Sequence, residues 1–396
     1  MPIPPDTMLP QATTPRANPR LASDRGTSCA AARSGLKILH VVEAFSTGVF
    51  EAVRQVANAS AAAGHEVHVA HATRPWTAED FATMFSDEVV FHRLAWGVKR
   101  QPRVLMRGTR ELASLTRAER FDVIHLHSTL AGVAGAIAVP SGVPTIYTPH
   151  GYVFLMSSLP RPVSVATRFV ERLVARRVSV IGAVSAAEAR EAQGVGARRV
   201  VVIHNGLQEL DGPTTSPDPS DDRRQGVVAA GRMSAQRQPL VVEEIFRALP
   251  AGTPTSWIGD TADEHASAAL RRLGTHLTGW VSRRDVLELT RKARVYLHWT
   301  AWDGHPLSVL EAISMGTVVV AHDIPPVREI LGTQSVCATP ADAVALIERL
   351  LVDDELYAAF QRDQAKAAAP FSGRAMTAKW GALYEDLASC ATRGID

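Results

Sequence analysis

The stretch Asp303-Gly-His-Pro-Leu-Ser-Val-Leu-Glu311 sets two carboxylates eight residues apart, across a Gly/Pro turn and onto the first turn of an expected helix. Ala312-Ile-Ser-Met-Gly316 continues that helix and stops it at a glycine, and Thr317-Val-Val-Val-Ala321 reads as a buried strand. A helix N-terminus presents free backbone N–H groups and the positive end of a dipole, which suits a phosphate. A carboxylate in the same site cannot hold a phosphate, but it accepts hydrogen bonds from sugar hydroxyls. Phosphate donors beside hydroxyl acceptors are what a nucleotide-sugar site requires.

Outward from this stretch the chain repeats one pattern. Lys37-Ile-Leu-His-Val-Val42 is an apolar strand, Ser46-Thr47-Gly48 a tight turn, and Phe50 to Ala63 a periodic helix ending at Gly64, before the strand Glu66–Ala70. Strand, turn, helix, strand is the order of a right-handed βαβ unit in a parallel sheet. Further strands are expected at Phe121–His127, Thr145–Thr148, Val178–Ala183 and Val200–His204. The polar, Pro-rich Gly212–Asp222 segment reads as a linker. A second series then follows at Val227–Ala230, Ser256–Gly259, Val295–His298 and Thr317–Val320. The expected class is α/β, with two Rossmann-like, doubly wound parallel-sheet domains facing a central cleft. The expected boundaries are a disordered extension over 1–34, an N-terminal domain over 35–210, a linker over 211–225, a nucleotide-sugar domain over 226–373 and a final helix over 374–396.

Composition narrows the classes. At 396 residues the chain exceeds one ordinary core. It is 46% hydrophobic and 21% charged with a net charge of +2, which gives no overall drive toward nucleic acid. Three widely spaced cysteines form neither a disulfide framework nor a metal-ligand pattern, so a reducing cytoplasm is expected. No apolar run has the length of a transmembrane helix, and residues 1–34 lack the apolar centre of a signal peptide.

The remaining motifs fall at strand ends. Gly231-Arg232-Met-Ser-Ala-Gln-Arg237 follows a strand and carries two guanidinium groups five residues apart, a pair able to clamp a diphosphate. His150, in Thr148-Pro-His150-Gly151, is a loop histidine able to bond a hydroxyl or a phosphate. Trp280, in Gly279-Trp280-Val281, either stacks on a base or lies in the core. His204-Asn205-Gly206 reads as a hinge, and Glu329 as a first-turn acid. His125-x-His127 shares one strand face and invites a metal reading, but no carboxylate or cysteine stands at ligand spacing, so strand-end packing is favoured. Arg168, Arg172, Arg176 and Arg177 lie opposite Val165, Phe169, Val170, Leu173 and Val174. The segment reads as a core helix with a solvated polar face, with a basic membrane-surface helix as the alternative. Lys99, Arg100, Arg103, Arg107 and Arg110, beside Trp96, form a second basic cluster.

From about Lys37 to about Trp380 the chain resembles the retaining family 4 glycosyltransferases, whose E-x7-E signature matches Asp303 to Glu311. Asp303 stands where the family usually has its first Glu, and Arg237 where it usually has Lys. The resemblance implies a GT-B fold and a metal-independent, retaining hexosyl transfer from a nucleoside diphosphate sugar, with UDP favoured. The acceptor is a hydroxyl of a glycan or lipid-linked molecule, in bacterial surface polysaccharide synthesis. It assigns His150, Asp303 and Glu311 to catalysis. It assigns Gly48, Arg232, Arg237, Trp280, Val281, Gly304, His305, Pro306, Leu307, Ser308 and Glu311 to the donor. It also implies a last helix that returns to the first domain, and an enzyme that is cytoplasmic or peripheral on the inner membrane face. No metal or other cofactor is expected. Asp is shorter than Glu by one methylene, so its carboxylate sits on the order of 1–1.5 Å further back on an unchanged backbone. That shortening motivates a rival reading, a degenerate GT-B protein that binds a nucleotide sugar or a partner enzyme without turnover. A nicotinamide dehydrogenase would need the G-x-G-x-x-G fingerprint, which is missing.

Overall fold

The computed structural model describes residues 35–393, except 44, 46, 74–76, 78–79, 98–100, 157 and 208–223. The 1–34 extension and nearly all of the 211–225 linker lie outside the described residues, as do Ser46, Lys99 and Arg100.

Continuous apolar runs become two parallel sheets. The first contains β1 (Lys37–Val42), β2 (Glu66–His71), β3 (Val90–Arg93), β4 (Val123–His127), β5 (Thr145–Thr148), β6 (Val180–Ala183) and β7 (Val200–Val202). Its strand order is β3-β2-β1-β4-β5-β6-β7. The second contains β8 (Val227–Ala230), β9 (Thr255–Ile258), β10 (His276–Leu277), β11 (Val295–His298), β12 (Val318–His322) and β13 (Val336–Cys337), in the order β10-β9-β8-β11-β12-β13. In each sheet the winding reverses beside the first strand, between β1 and β4 and between β8 and β11. A doubly wound sheet receives its ligand there, at the carboxyl ends of the strands.

Helices cover both faces. The first lobe carries α1 (Thr47–Ala62), α2 (Pro102–Ala118), α3 (Thr129–Ala138), α4 (Arg161–Arg177) and α5 (Ala186–Gly194). The second carries α6 (Pro239–Ala248), α7 (Glu264–Arg272), α8 (Arg283–Lys292), α9 (Leu307–Ser314), α10 (Pro325–Leu331), α11 (Pro340–Val352) and α12 (Asp354–Ala368), and α13 (Gly373–Arg393) closes the chain. Local chemistry fixes many starts. Ser185, Asp263, Ser282 and Asp353 accept a backbone N–H at the N-cap, and Thr339 with Asp342 closes a full capping box.

Along α13, Met376, Trp380, Leu383, Tyr384 and Leu387 recur at helical spacing as one apolar stripe. The stripe packs on Ile38, Val123, Ile146 and Val180 of the first sheet, so the last helix covers the first lobe. The chain therefore crosses between lobes twice, and the crossings run side by side. Leu207 N donates to Phe371 O at 3.0 Å, and Gly373 N to Leu207 O at 2.7 Å.

Four sequence expectations need correction. Thr47 and Gly48, expected in a turn, already belong to the first turn of α1, and Gly48 has open space around it. Glu311 is the fifth residue of α9, one turn later than expected, because Pro306 delays the helix start. On α4 the buried residues are Glu171, Val174 and Ala175, while Val165, Phe169 and Leu173 are 69%, 60% and 48% exposed. Of the apolar stripe assigned to the core this helix fully buries only Val174, and Glu171, tied to Thr129 and Tyr147, faces inward beside it. In the α2 region Trp96 is core, lying against Gly108, and is not part of a basic surface.

Candidate functional site

The second lobe assembles its part of the site from two neighbouring strand ends. β8 and β11 are paired, so the loop carrying Arg232 and Arg237 lies beside the loop carrying Asp303. Backbone and side-chain bonds lace the loops together: Ala301 N donates to Gln236 O at 2.8 Å, and Gln236 Nε2 to Trp302 O at 2.9 Å. Arg237 Nη1 then reaches Asp303 Oδ2 at 3.1 Å, and Gly304 N donates to Asp303 Oδ1 at 3.0 Å. Burial acts to raise the Asp303 pKa, but the Arg237 charge and these bonds hold the carboxyl at about 2. Arg237 Nη1 also lies 3.2 Å from His298 Nε2. A guanidinium only donates, so that ring nitrogen accepts and His298 is neutral. Burial lowers the pKa of His298 in the same sense. Arg232 is exposed on the same loop.

Pro306 stands at the N-cap of α9, and no side chain caps the helix. The leading N–H groups of Leu307 and Ser308 thus lie beside Gly304 without a capping side chain. Among the described residues neither ring nitrogen of the buried His305 has a hydrogen-bond partner. Glu311, one turn on, accepts from Arg283 Nη2 at 2.7 Å. Burial raises the Glu311 pKa, and Arg283 opposes that rise. The same Arg283 nitrogen lies 3.9 Å from Glu51 of α1, so one guanidinium stands between carboxylates of the two lobes. Trp280 is 48% exposed, which removes the core alternative for it, while Val281 packs against the core beside it.

The first lobe brings His150 to the seam. His150 and Gly151 both have positive φ, 55° and 100°, a left-handed pair in which the histidine is the strained member. The turn is held by Glu188, which accepts from Gly151 N at 2.6 Å and from Val184 N at 2.7 Å. Burial outweighs those two bonds and pushes the Glu188 carboxyl up to about 7. Gly304 of the second lobe abuts this turn. A Cβ added there would sit 3.1 Å from the His150 carbonyl carbon and 3.2 Å from Gly151 N, so close an approach favours glycine. The His150–Gly151 turn therefore packs directly against Gly304, the residue next to Asp303.

Other contacts set the lobes against each other. Asn205 Nδ2 donates to His305 O at 2.9 Å, which ties residues 204–206 to the backbone just before α9. Glu329, far from being an ordinary first-turn acid, accepts from Ala186 N at 2.9 Å and contacts His204. Sequence reasoning missed Glu188, Glu51 and Arg283. Ser185-Ala-Ala-Glu188 has the S-x-x-E spacing of a capping box and would have flagged Glu188. Nothing local marks Glu51 or Arg283, whose meeting depends on how the lobes close.

His125 and His127 are joined by His40 of β1, and the three place ring nitrogens within 4.8 Å of one another. Among the described residues no helix is long and apolar enough to cross a membrane.

Comparison with known proteins followed the same division. A family model described as Glycosyltransferase Family 4 matches residues 46–209, and one described as Glycosyl transferases group 1 matches residues 224–352. A UDP-Gal:alpha-D-GlcNAc-diphosphoundecaprenol alpha-1,3-galactosyltransferase of Escherichia coli is 24% identical over 243 residues, covering 55% of this chain. The chain spans 62% and 63% of the length of the curated relatives it matches. Two solved structures, each 17% identical, cover 89% of this chain and 100% of their own. One is Anabaena HepE in complex with UDP and glucose, with a TM-score of 0.68, and the other is a sucrose-phosphate synthase of Thermosynechococcus elongatus, with a TM-score of 0.73. At that identity the likeness carries the fold, which is GT-B.

Proposed function

The chain belongs to the family 4, group 1 glycosyltransferases, and from that premise we propose that it moves a sugar from a UDP-sugar to a hydroxyl of a glycan or lipid-linked acceptor, with retention of configuration. The observation that carries the reading is the meeting of Arg237 and Asp303 at a sheet switch point, beside an uncapped helix start and opposite His150. Arg232, Arg237 and the α9 N–H groups at Leu307 and Ser308 neutralise the diphosphate as it departs. Those charges and dipoles do the work asked of them without a metal ion. Asp303 accepts hydroxyls of the donor sugar, and Glu311 accepts those of the ribose, exchanging Arg283 for the ligand. Gly48, in its open first turn, leaves room for the diphosphate, and Trp280 offers a face to the base. His150 meets the sugar from the first lobe. The leaving phosphate helps to deprotonate the acceptor on the same face, a route that needs no protein nucleophile. Support for UDP comes from the printed ligands of HepE and the donor named for the Escherichia coli relative.

Asp303→Ala separates this reading from a non-catalytic binder. The account expects transfer to fall by at least about 10²-fold, the usual effect of one lost polar group at a reacting centre. UDP affinity should stay within about threefold or tighten, since Arg237 is released. Steady-state transfer together with UDP calorimetry measures both. Retained turnover, or lost UDP binding, contradicts the assignment.

The α4 surface supports a peripheral membrane position. Val165, Phe169 and Leu173 form an exposed i, i+4, i+8 stripe, and Arg168, Arg172 and Arg176 form a parallel exposed one. Apolar residues flanked by arginines suit an anionic lipid surface. The protein is expected to sediment with phosphatidylglycerol vesicles and not with phosphatidylcholine vesicles. Val165→Asp with Phe169→Asp should weaken that binding by about tenfold or more, since each lost insertion removes roughly 1.5–3 kcal/mol. Equal sedimentation of the wild type with both vesicle types would contradict it.

A further inference from the structure

Behind His150 a line of histidines runs into the first lobe. His150 Nε2 lies 3.0 Å from His127 Nδ1, and His127 Nε2 lies 3.1 Å from His40 Nδ1. The line ends there, because His40 Nε2 is buried and has no hydrogen-bond partner among the described residues. At the other end His150 Nδ1 has no hydrogen bond to any described residue, and the His150–Gly151 turn that carries it abuts Gly304 of the second lobe. Burial keeps all three rings neutral, lowering His40 to about 3, His150 to about 4 and His127 in the same direction.

A neutral imidazole carries one N–H and one lone pair. Two bonds through three rings therefore force all the protons to run one way. With every proton on Nε2, His40 would bury an N–H that nothing accepts. With every proton on Nδ1, His40 buries only a lone pair, and an orphaned acceptor is the commoner of the two in proteins. We infer that His40 and His127 are positioning residues that hold His150 as the Nδ1–H tautomer, so that it presents a hydrogen-bond donor to the cleft.

This reverses the preference of imidazole in water, which favours the proton on Nε2. The His150 ring is held stacked on His127, with centroids 5.3 Å apart. The same arrangement accounts for the neighbouring histidine. His125 is satisfied separately, by Tyr384 Oη and Thr148 Oγ1 at 2.8 Å each, and it braces His127 with ring centroids 3.9 Å apart. A metal ion held by His40, His125 and His127 would have to break bonds at two of these rings. The donor role toward a sugar hydroxyl or phosphate oxygen rests on the proposed function; the tautomer does not.

The test is a long-range ¹H–¹⁵N spectrum of protein labelled in its histidine rings, with the His150 signal identified by its loss in His150→Gln. The account expects His150 as Nδ1–H at pH 7.5. His127→Leu should return it to Nε2–H and lower kcat for sugar transfer about tenfold, the loss expected for one hydrogen bond to the reacting donor. His127→Asn puts an amide donor near the position of Nδ1 and should restore both the signal and most of the rate. A wild-type His150 with its proton on Nε2 overturns the inference without any variant, as does a stoichiometric metal ion on these rings. If no donor is turned over at all, the proposed function fails, while the spectrum still decides the tautomer.

Discussion

Arg237→Ala is expected to lower kcat/KM for sugar transfer by about 10²–10³-fold, the range seen when one preorganised donor to a developing charge is removed. The guanidinium does two jobs. It faces the place where a diphosphate departs, and it holds the buried Asp303 carboxylate ionised at about 2. Without it, only the Gly304 N–H bond and the His298 contact oppose desolvation, so the Asp303 pKa rises. Breaking one side of a buried ion pair costs about 3–5 kcal/mol, and the residual exposure of these two side chains, 20% and 16%, puts this pair near the lower figure. Arg237→Ala with Asp303→Asn should recover stability, because the stranded charge is gone, and should not recover transfer. Activity and urea unfolding of the single and double variants measure this. A single variant that keeps full activity contradicts the assigned role.

Acidification from pH 7.5 to 5 is expected to remove about 5 kcal/mol or more of unfolding free energy, comparable to the whole stability of many domains. Burial lowers His40 and His305 to about 3 and His71 and His150 to about 4, and it lowers His92, His125, His127 and His298 as well. A histidine whose folded pKa is depressed binds its proton more readily when unfolded. Its stabilising contribution is present above about 6.5 and is lost as pH falls toward the folded value. At pH 5 each such ring costs up to about 2 kcal/mol, from 1.36 kcal/mol per pH unit. Three buried carboxyls oppose this. Glu188, raised to about 7 by burial, gains stability as pH falls below that value, and Glu171 and Glu311 are shifted in the same direction. Eight rings outweigh three carboxyls, so the net effect is a loss. Urea midpoints across pH 5–7.5 measure it, and a flat profile would contradict the burial of the histidines.

What the sequence revealed follows from how local each signal is. Unbroken runs such as Lys37–Val42 and Val295–His298 can only be buried parallel strands, and each was visible as such. The two-residue strands β10 and β13 carry no pattern of their own and exist because a neighbouring strand recruits them. Arg237 and Asp303 were each visible at a strand end, and the pairing of β8 with β11 turns that into contact. Amphipathic spacing on α4 was also visible, but periodicity does not say whether an apolar stripe meets a core or water. The bridge from Glu51 through Arg283 to Glu311, and the approach of Gly304 to His150, depend on the closure of two lobes that no short window of sequence encodes.

The most direct measurement is a crystal structure of the protein soaked with a UDP-sugar. The account predicts the diphosphate against Arg232, Arg237 and the start of α9, the ribose on Glu311 with Arg283 displaced, and the sugar between Asp303 and His150. A nucleotide bound outside this crevice, or a diphosphate that touches neither arginine, would contradict it.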